Sequence, residues 1–164
     1  MPLLRALGSD RARWWLGGLS TIKARGKETG GLCTLIEMFE PQGVEVPIHV
    51  HHNEDEPFYV LEGQMSFYVG EQTYKAAPGT FVFGPKDVPH AYTIDSGPAR
   101  FLMLLSPAGF EGFIEETSEP AEALTLPPQP EASPDEAEIE AEMEQLAALA
   151  GRYGNEIVGP PPGQ

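Results

Sequence analysis

A chain of 164 residues is enough for one ordinary domain and short for two. Acidic residues outnumber basic ones 25 to 10, a formal net charge of -15, which repels phosphate backbones and anionic headgroups and argues against nucleic-acid and membrane partners. The single cysteine, Cys33, excludes an internal disulfide framework, fits a reducing compartment and is expected to be a small buried apolar side chain.

The opening stretch, MPLLRALGSDRARWWLGG, lacks the long apolar segment of a secretory signal. No apolar run approaches the roughly 20 residues needed to cross a bilayer, so the expected location is cytoplasmic. Arg5, Arg11, Arg13, Lys23, Arg25 and Lys27 are six of the ten basic residues, giving a basic head and an acidic tail whose expected relation is intramolecular attraction. WWLGGLSTIKA can add one or two edge strands, making residues 1–29 an N-terminal segment. Residues 30–107 are a succession of short β-rich runs, CTLIEMFE, PIHVH, EPFYVLEG, QMSFYVGE, TFVFG, PHAYTI and RFLMLLS, separated by Gly, Pro, Asn and Asp. This pattern indicates an all-β sandwich or barrel. LEGQM and YVGEQTY read as tight hairpin turns, and APGT as another.

Residues 108–164 form an extension of different character. FEGFIEETSE suits a short helix, and EALTLPPQPEASP is a proline-rich connector. In SPDEAEIEAEMEQLAALAGRYG the spacing predicts a helix with Ser133 as cap, Pro134 in its first turn, Glu136 three residues after the cap and Gly151 or Gly154 as the stop. Ile139, Met143, Leu146 and Ala150 share one face, suited to packing on the barrel or a second subunit. The final GPPPGQ is expected to be extended.

The chain has four histidines, and three of them fall in PIHVHHNEDEPFYVLEG. On a strand, His49 and His51 face one side and His52 the other. Glu56 opens the next strand, and His90 begins a later one in PKDVPHAYTI. Two imidazoles and a carboxylate converging from adjacent strands, joined by a third imidazole, are what a divalent transition metal needs.

GVEVPIHVHHNEDEPFYVLEG is similar to the first motif of the cupin family, G(X)5HXH(X)4E(X)6G, with Gly43, His49, His51, Glu56 and Gly63 in the matching places. GTFVFGPKDVPHAYTI resembles the second, G(X)5PXG(X)2H(X)3N. Gly79, Pro85 and His90 match, while Asp87 replaces the usual glycine and Ile94 the usual asparagine. The resemblance implies a cupin double-stranded β-helix, or jelly-roll, barrel, here with a C-terminal helical extension. It also implies one divalent metal ion per chain (Fe, Mn, Co, Ni, Cu or Zn) held by His49, His51, Glu56 and His90, and a homodimer.

Strand parity sends Phe58 and Val60, Tyr92 and Ile94, and Phe101, Met103 and Leu105 into the barrel. Most of these are core filling, and Phe58, Tyr92 and Met103 are the candidates to reach the metal. Lys75, Lys86 and Arg100 are the basic residues of the barrel segment and none is in phase with the interior, so a phosphate or carboxylate substrate lacks an anchor. A neutral or aromatic small molecule suits the walls better. Within cupins the ligand pattern, the FYVLEG strand and the size resemble the single-barrel proteins related to quercetin 2,3-dioxygenase. That implies O2-dependent cleavage of a flavonol-like enol or phenol, with Glu56 both ligating the metal and accepting the substrate hydroxyl proton. A non-catalytic small-molecule-binding metallocupin and a metal-dependent isomerase or lyase are the alternatives.

Overall fold

The strand TLIEMFE shows how this chain builds a barrel: Thr34, Ile36, Met38 and Glu40 are buried while Leu35, Glu37 and Phe39 between them are half-buried. One face of the strand therefore meets a core. The computed structural model describes residues 9–128 and 135–162. Within them run β1 (Ala12–Trp15), β2 (Gly18–Ala24), the single turn α1 (Gly26–Thr29), β3 (Thr34–Glu40), β4 (Ile48–His51), β5 (Glu56–Val69), β6 (Gln72–Ala76), β7 (Phe81–Gly84) and β8 (His90–Leu105). After these come α2 (Glu111–Thr117), the two-residue β9 (Glu119–Pro120), α3 (Glu136–Arg152) and β10 (Asn155–Gly159).

All pairings are antiparallel, and the two long strands β5 and β8 carry the architecture. Their first and second halves pair crosswise: Phe58–Val60 lies against Phe101–Met103, and Met65–Val69 against His90–Ile94. One layer therefore reads β9-β1-β2-β3-β8-β5-β7 and the other β10-β4-β8-β5-β6. These layers face each other as a β-helical barrel of the cupin kind. Val60, Phe67, Ile36, Met38, Phe101 and Leu105 fill the interior, and the rings of Phe58, Phe67, Tyr92 and Phe101 pack in tilted and edge-on pairs with centroids 5.0–6.3 Å apart.

The expected runs EPFYVLEG and QMSFYVGE are one strand, as are PHAYTI and RFLMLLS. LEGQM is therefore a corner inside β5 and not a hairpin. Gly63 turns it with φ +80°, and a Cβ there would stand 2.8 Å from Ala99 Cα, so only glycine lets the two bent strands touch. YVGEQTY does form the β5–β6 turn, and APGT turns the chain into β7, with Thr80 N–H donating to Ala77 O. Asp87, standing where the cupin pattern has glycine, adopts the left-handed φ of +62° that the glycine would serve. Aspartate is among the few residues that tolerate it. Ile94, in place of the asparagine, is buried in the core.

The N-terminal hairpin joins the barrel through β2–β3 pairing. Its basic residues find acids close by: Arg11 on Glu28 at 2.7 Å, Lys23 on Glu37 at 2.9 Å and Arg25 on Glu115 at 2.5 Å. Arg13 donates to the Ser118 carbonyl at the end of α2. The expected attraction between head and tail thus reaches α2. Cys33 is free and half-buried just before β3.

Ser133 and Pro134 lie outside the described residues, and α3 opens instead on Asp135, whose side chain accepts from Glu138 N–H in a capping box. Leu146 and Ala150 pack on the core. The tail also supplies an element the sequence reading missed, β10, which pairs with β4 in the register Asn155↔His51 and Ile157↔His49. No described helix is long and apolar enough to cross a membrane.

Candidate metal centre

Alternation along β4 turns His49 and His51 inward. Glu56 comes from the other layer, because β5 pairs with β7 and β8 and not with β4. The expected adjacency of the two strands is corrected accordingly, and the true neighbour of β4 is β8, in the pairing His49↔His90. The four donor atoms lie within 4.8 Å of one another, and all four residues are buried. Glu56 Oε2 is the common point: it stands 2.9 Å from His90 Nε2, 3.3 Å from His51 Nε2 and 3.7 Å from His49 Nε2. Donor atoms each about 2.1 Å from one ion stand roughly 3–4 Å apart, so this spacing suits a single cation.

Each imidazole is also oriented from behind. His49 Nδ1–H donates to Pro47 O and His90 Nδ1–H to Val88 O, both at 2.9 Å. His51 Nδ1–H donates to the buried Glu54 carboxylate. Two of these acceptors are carbonyls, which can only accept, so Nδ1 carries a proton and Nε2 faces the centre; as an N–H it donates to Glu56, and once deprotonated it offers its lone pair to a cation. That tautomer is the one a metal requires.

The charges agree with this reading. Burial presses against a charge on His51, but the Glu56 and Glu54 carboxylates outweigh it and raise the imidazole to about 10. Burial likewise opposes ionised Glu56, yet the His51 charge and the hydrogen bonds of the three imidazoles hold it well below the usual carboxylate range. Burial lowers His49. One buried carboxylate ringed by three imidazoles favours positive charge between them, whether a proton or a cation.

His52 points outward as its parity required. Its Nδ1 is 2.8 Å from Asp87 and its Nε2 3.0 Å from Glu156, tying the turn after β4 to β10.

Three of the four clustered residues, His49, His51 and Glu56, line a cavity of about 500 Å³, a size typical of small-molecule sites. Tyr92 and Met103 are on its wall. Phe58 is not; it belongs to the ring cluster beneath. No lysine or arginine is among the described lining residues. Sequence reasoning missed much of the wall: Trp15 from the first hairpin, Glu40 from β3, Phe110 and Phe113 around α2, and the face of α3 carrying Ile139 and Met143. It also missed Asn155, whose amide nitrogen is 3.1 Å from His51 Nε2. That amide donates to a lone pair and, rotated by half a turn, accepts from a proton.

Residues 35–105 match the family described as the cupin domain. Over 114 residues the chain is 32% identical to quercetin 2,3-dioxygenase of Bacillus subtilis, covering 70% of this chain and 34% of that protein, so it spans about a third of that relative's length. Among solved structures it resembles an RmlC-like cupin from Shewanella frigidimarina, with TM-score 0.57 and 18% identity over 65% of this chain and 93% of that one. A predicted oxalate decarboxylase from Thermotoga maritima gives TM-score 0.56 and 16% identity over 65% and 100%. Identities this low speak for the fold alone. With its barrel, its two motifs and its buried three-histidine, one-glutamate cluster, the chain carries a cupin domain over residues 35–105.

Proposed function

We propose that this cupin is a metal-dependent dioxygenase that cleaves a flavonol-like enol or phenolic molecule with O2. The observation that carries the reading is the placement of the cluster: the Nε2 atoms of three histidines converge on Glu56 Oε2, and His49, His51 and Glu56 line a mostly apolar cavity without a cationic side chain on its described walls. A divalent transition ion held by His49, His51, Glu56 and His90 would supply Lewis-acid polarisation of an enol oxygen and a template for O2.

The chain's own residues supply the rest. Trp15, Phe113 and Met103 offer apolar surface to an aromatic ring and exclude water from it. All three histidine contacts fall on Glu56 Oε2, which leaves Oε1 to accept the substrate hydroxyl proton. The 32% identical relative supports the choice of substrate class.

The test is metal analysis of purified protein followed by oxygen uptake with a panel of flavonols. Metal near one equivalent with substrate-dependent uptake is the expected result. Bound metal without uptake would refute the dioxygenase and favour a binding cupin, and turnover without oxygen would favour an isomerase or lyase.

We also read the chain as a homodimer. β7 is a sheet edge, and Phe81 and Phe83 on it, with Tyr59 and Leu61 beside them on β5, are exposed apolar side chains of the kind that a second copy covers. Sedimentation of the wild type and of Phe81→Glu checks it, with a dimer expected for the first and a monomer for the second.

A further inference from the structure

One buried acid on the cavity wall has no part in the chemistry above. Glu40 ends β3 on the face that carries Ile36 and Met38, and it is 5% exposed. Its Oε1 accepts a hydrogen bond from Tyr92 Oη at 3.0 Å. Its Oε2 is buried and has no hydrogen-bond partner among the described residues, and no cation pairs with either oxygen among them. The neighbouring strand β2 leaves space for it: at Gly18 a Cβ would come within 2.9 Å of Glu40 Cγ. Glu40 and Tyr92 line the cavity together with His49, Glu56 and Met103.

A carboxyl that merely anchored Tyr92 would use one oxygen and leave the desolvation of the other uncompensated, and glutamine would serve as well without the charge. Glu40 lines a ligand-sized cavity, and a small turn of its side chain brings the shielded, unpartnered Oε2 to a ligand there. We propose that Glu40, steadied by Tyr92, is a second polar subsite of the cavity, binding the hydroxyl of a phenol-like ligand whose remaining surface is apolar. The ligand donates its O–H to Glu40 Oε2, and its ring rests on the apolar walls. This deepens the small-molecule reading of the cavity and rests on it, independently of the oxygen reaction.

Burial, only partly offset by the hydrogen bond from Tyr92, pushes the Glu40 carboxyl up to about 7. Near neutrality it can therefore also meet a ligand carbonyl as the neutral acid. An ammonium ligand is disfavoured because the cation would be stripped of water beside a metal-loaded cluster.

The test uses phenol, toluene and benzylamine as probes, with affinities from saturation-transfer NMR on the metal-loaded full chain and on metal-depleted protein in parallel. Wild type should prefer phenol to toluene about tenfold or more in both forms, as a hydrogen bond to a charged acceptor implies. Glu40→Met should bring the two probes close to parity while binding toluene as well as wild type does. Glu40→Gln, which keeps the volume and the acceptor for Tyr92, should lose most of the preference and serves as the folded control. A phenol preference that survives Glu40→Met and Glu40→Gln would overturn the proposal, as would preference for benzylamine or failure of phenol and toluene alike to bind wild type. Loss of flavonol-dependent oxygen uptake with phenol selectivity intact would instead remove the dioxygenase and leave the subsite standing.

Discussion

Glu54 provides the sharpest test of the metal centre, because it can be altered without touching a ligand. Of the three groups that fix the imidazoles from behind, the Pro47 and Val88 carbonyls are backbone, each two residues before its own histidine. Glu54 alone is a side chain and alone is charged. It is 2% exposed, and its hydrogen bond goes to His51 Nδ1. The carboxylate holds the proton on Nδ1 and makes Nε2 a better donor to a cation. Glu54→Gln preserves volume and an acceptor oxygen but removes the charge, and replacing such a partner costs about 10–100-fold in metal affinity, or about 1.4–2.7 kcal/mol. The assay is competition for zinc against a chromophoric chelator at neutral pH, with thermal unfolding of the metal-depleted variant alongside. A Kd within threefold of wild type would refute the claim that Glu54 tunes His51. A collapse of metal-free stability matching the loss of zinc would show that Glu54 holds the turn after β4 and not the ligand.

The remaining predictions address the ligand set, the corner and the buried acid. His49→Ala and His90→Ala should each remove most bound metal on elemental analysis, whereas His52→Ala, whose ring is occupied by Asp87 and Glu156, should keep it; the reverse pattern would mean that the strand phase is wrong. Gly63→Ala should destabilise by about 2–4 kcal/mol in urea unfolding, combining left-handed backbone strain with a Cβ 2.8 Å from Ala99 Cα. Unchanged stability would show that the corner can open. Glu40 binds its proton more tightly in the folded state, where burial, despite the hydrogen bond from Tyr92, raises it from 4.5 to about 7, so folding loses stability as pH climbs through that window. Relative to Glu40→Gln, metal-depleted wild type should lose up to about 3 kcal/mol between pH 4.5 and 7.5. Parallel stability curves for the two proteins would contradict it.

The convergence of His49, His51 and Glu56 was legible because its information is local. His49, His51 and Glu56 lie within one short segment, and period-2 alternation is enough to separate His51 from His52. The layer that each strand joins is not local information. Nothing in HNED says that the chain crosses to the opposite layer instead of pairing with β4, and nothing in two short apolar runs says that they form one bent strand. The corner signal was present in Gly63, but a glycine between two β runs marks a hairpin and a corner equally well. Asp87 is the opposite case: it departs from the glycine of the motif, and aspartate's tolerance of positive φ preserves the turn.

The walls of the cavity were the least legible part, for two distinct reasons. Asn155 meets His51 across 104 residues, and Ile139 and Met143 meet the cavity from a helix whose apolar stripe states that it will be covered but not by what. Such docking depends on shape complementarity between segments remote in sequence. Glu40 differs, since the alternation of TLIEMFE places it with Ile36 and Met38, and a strict reading of parity would have sent an acid into the barrel. The usual expectation that a terminal strand glutamate is solvated works against that reading. A residue whose pattern says inside and whose chemistry says outside is where a site is worth seeking: the cost of burying Glu40 with one oxygen unpartnered makes sense once the cavity is occupied.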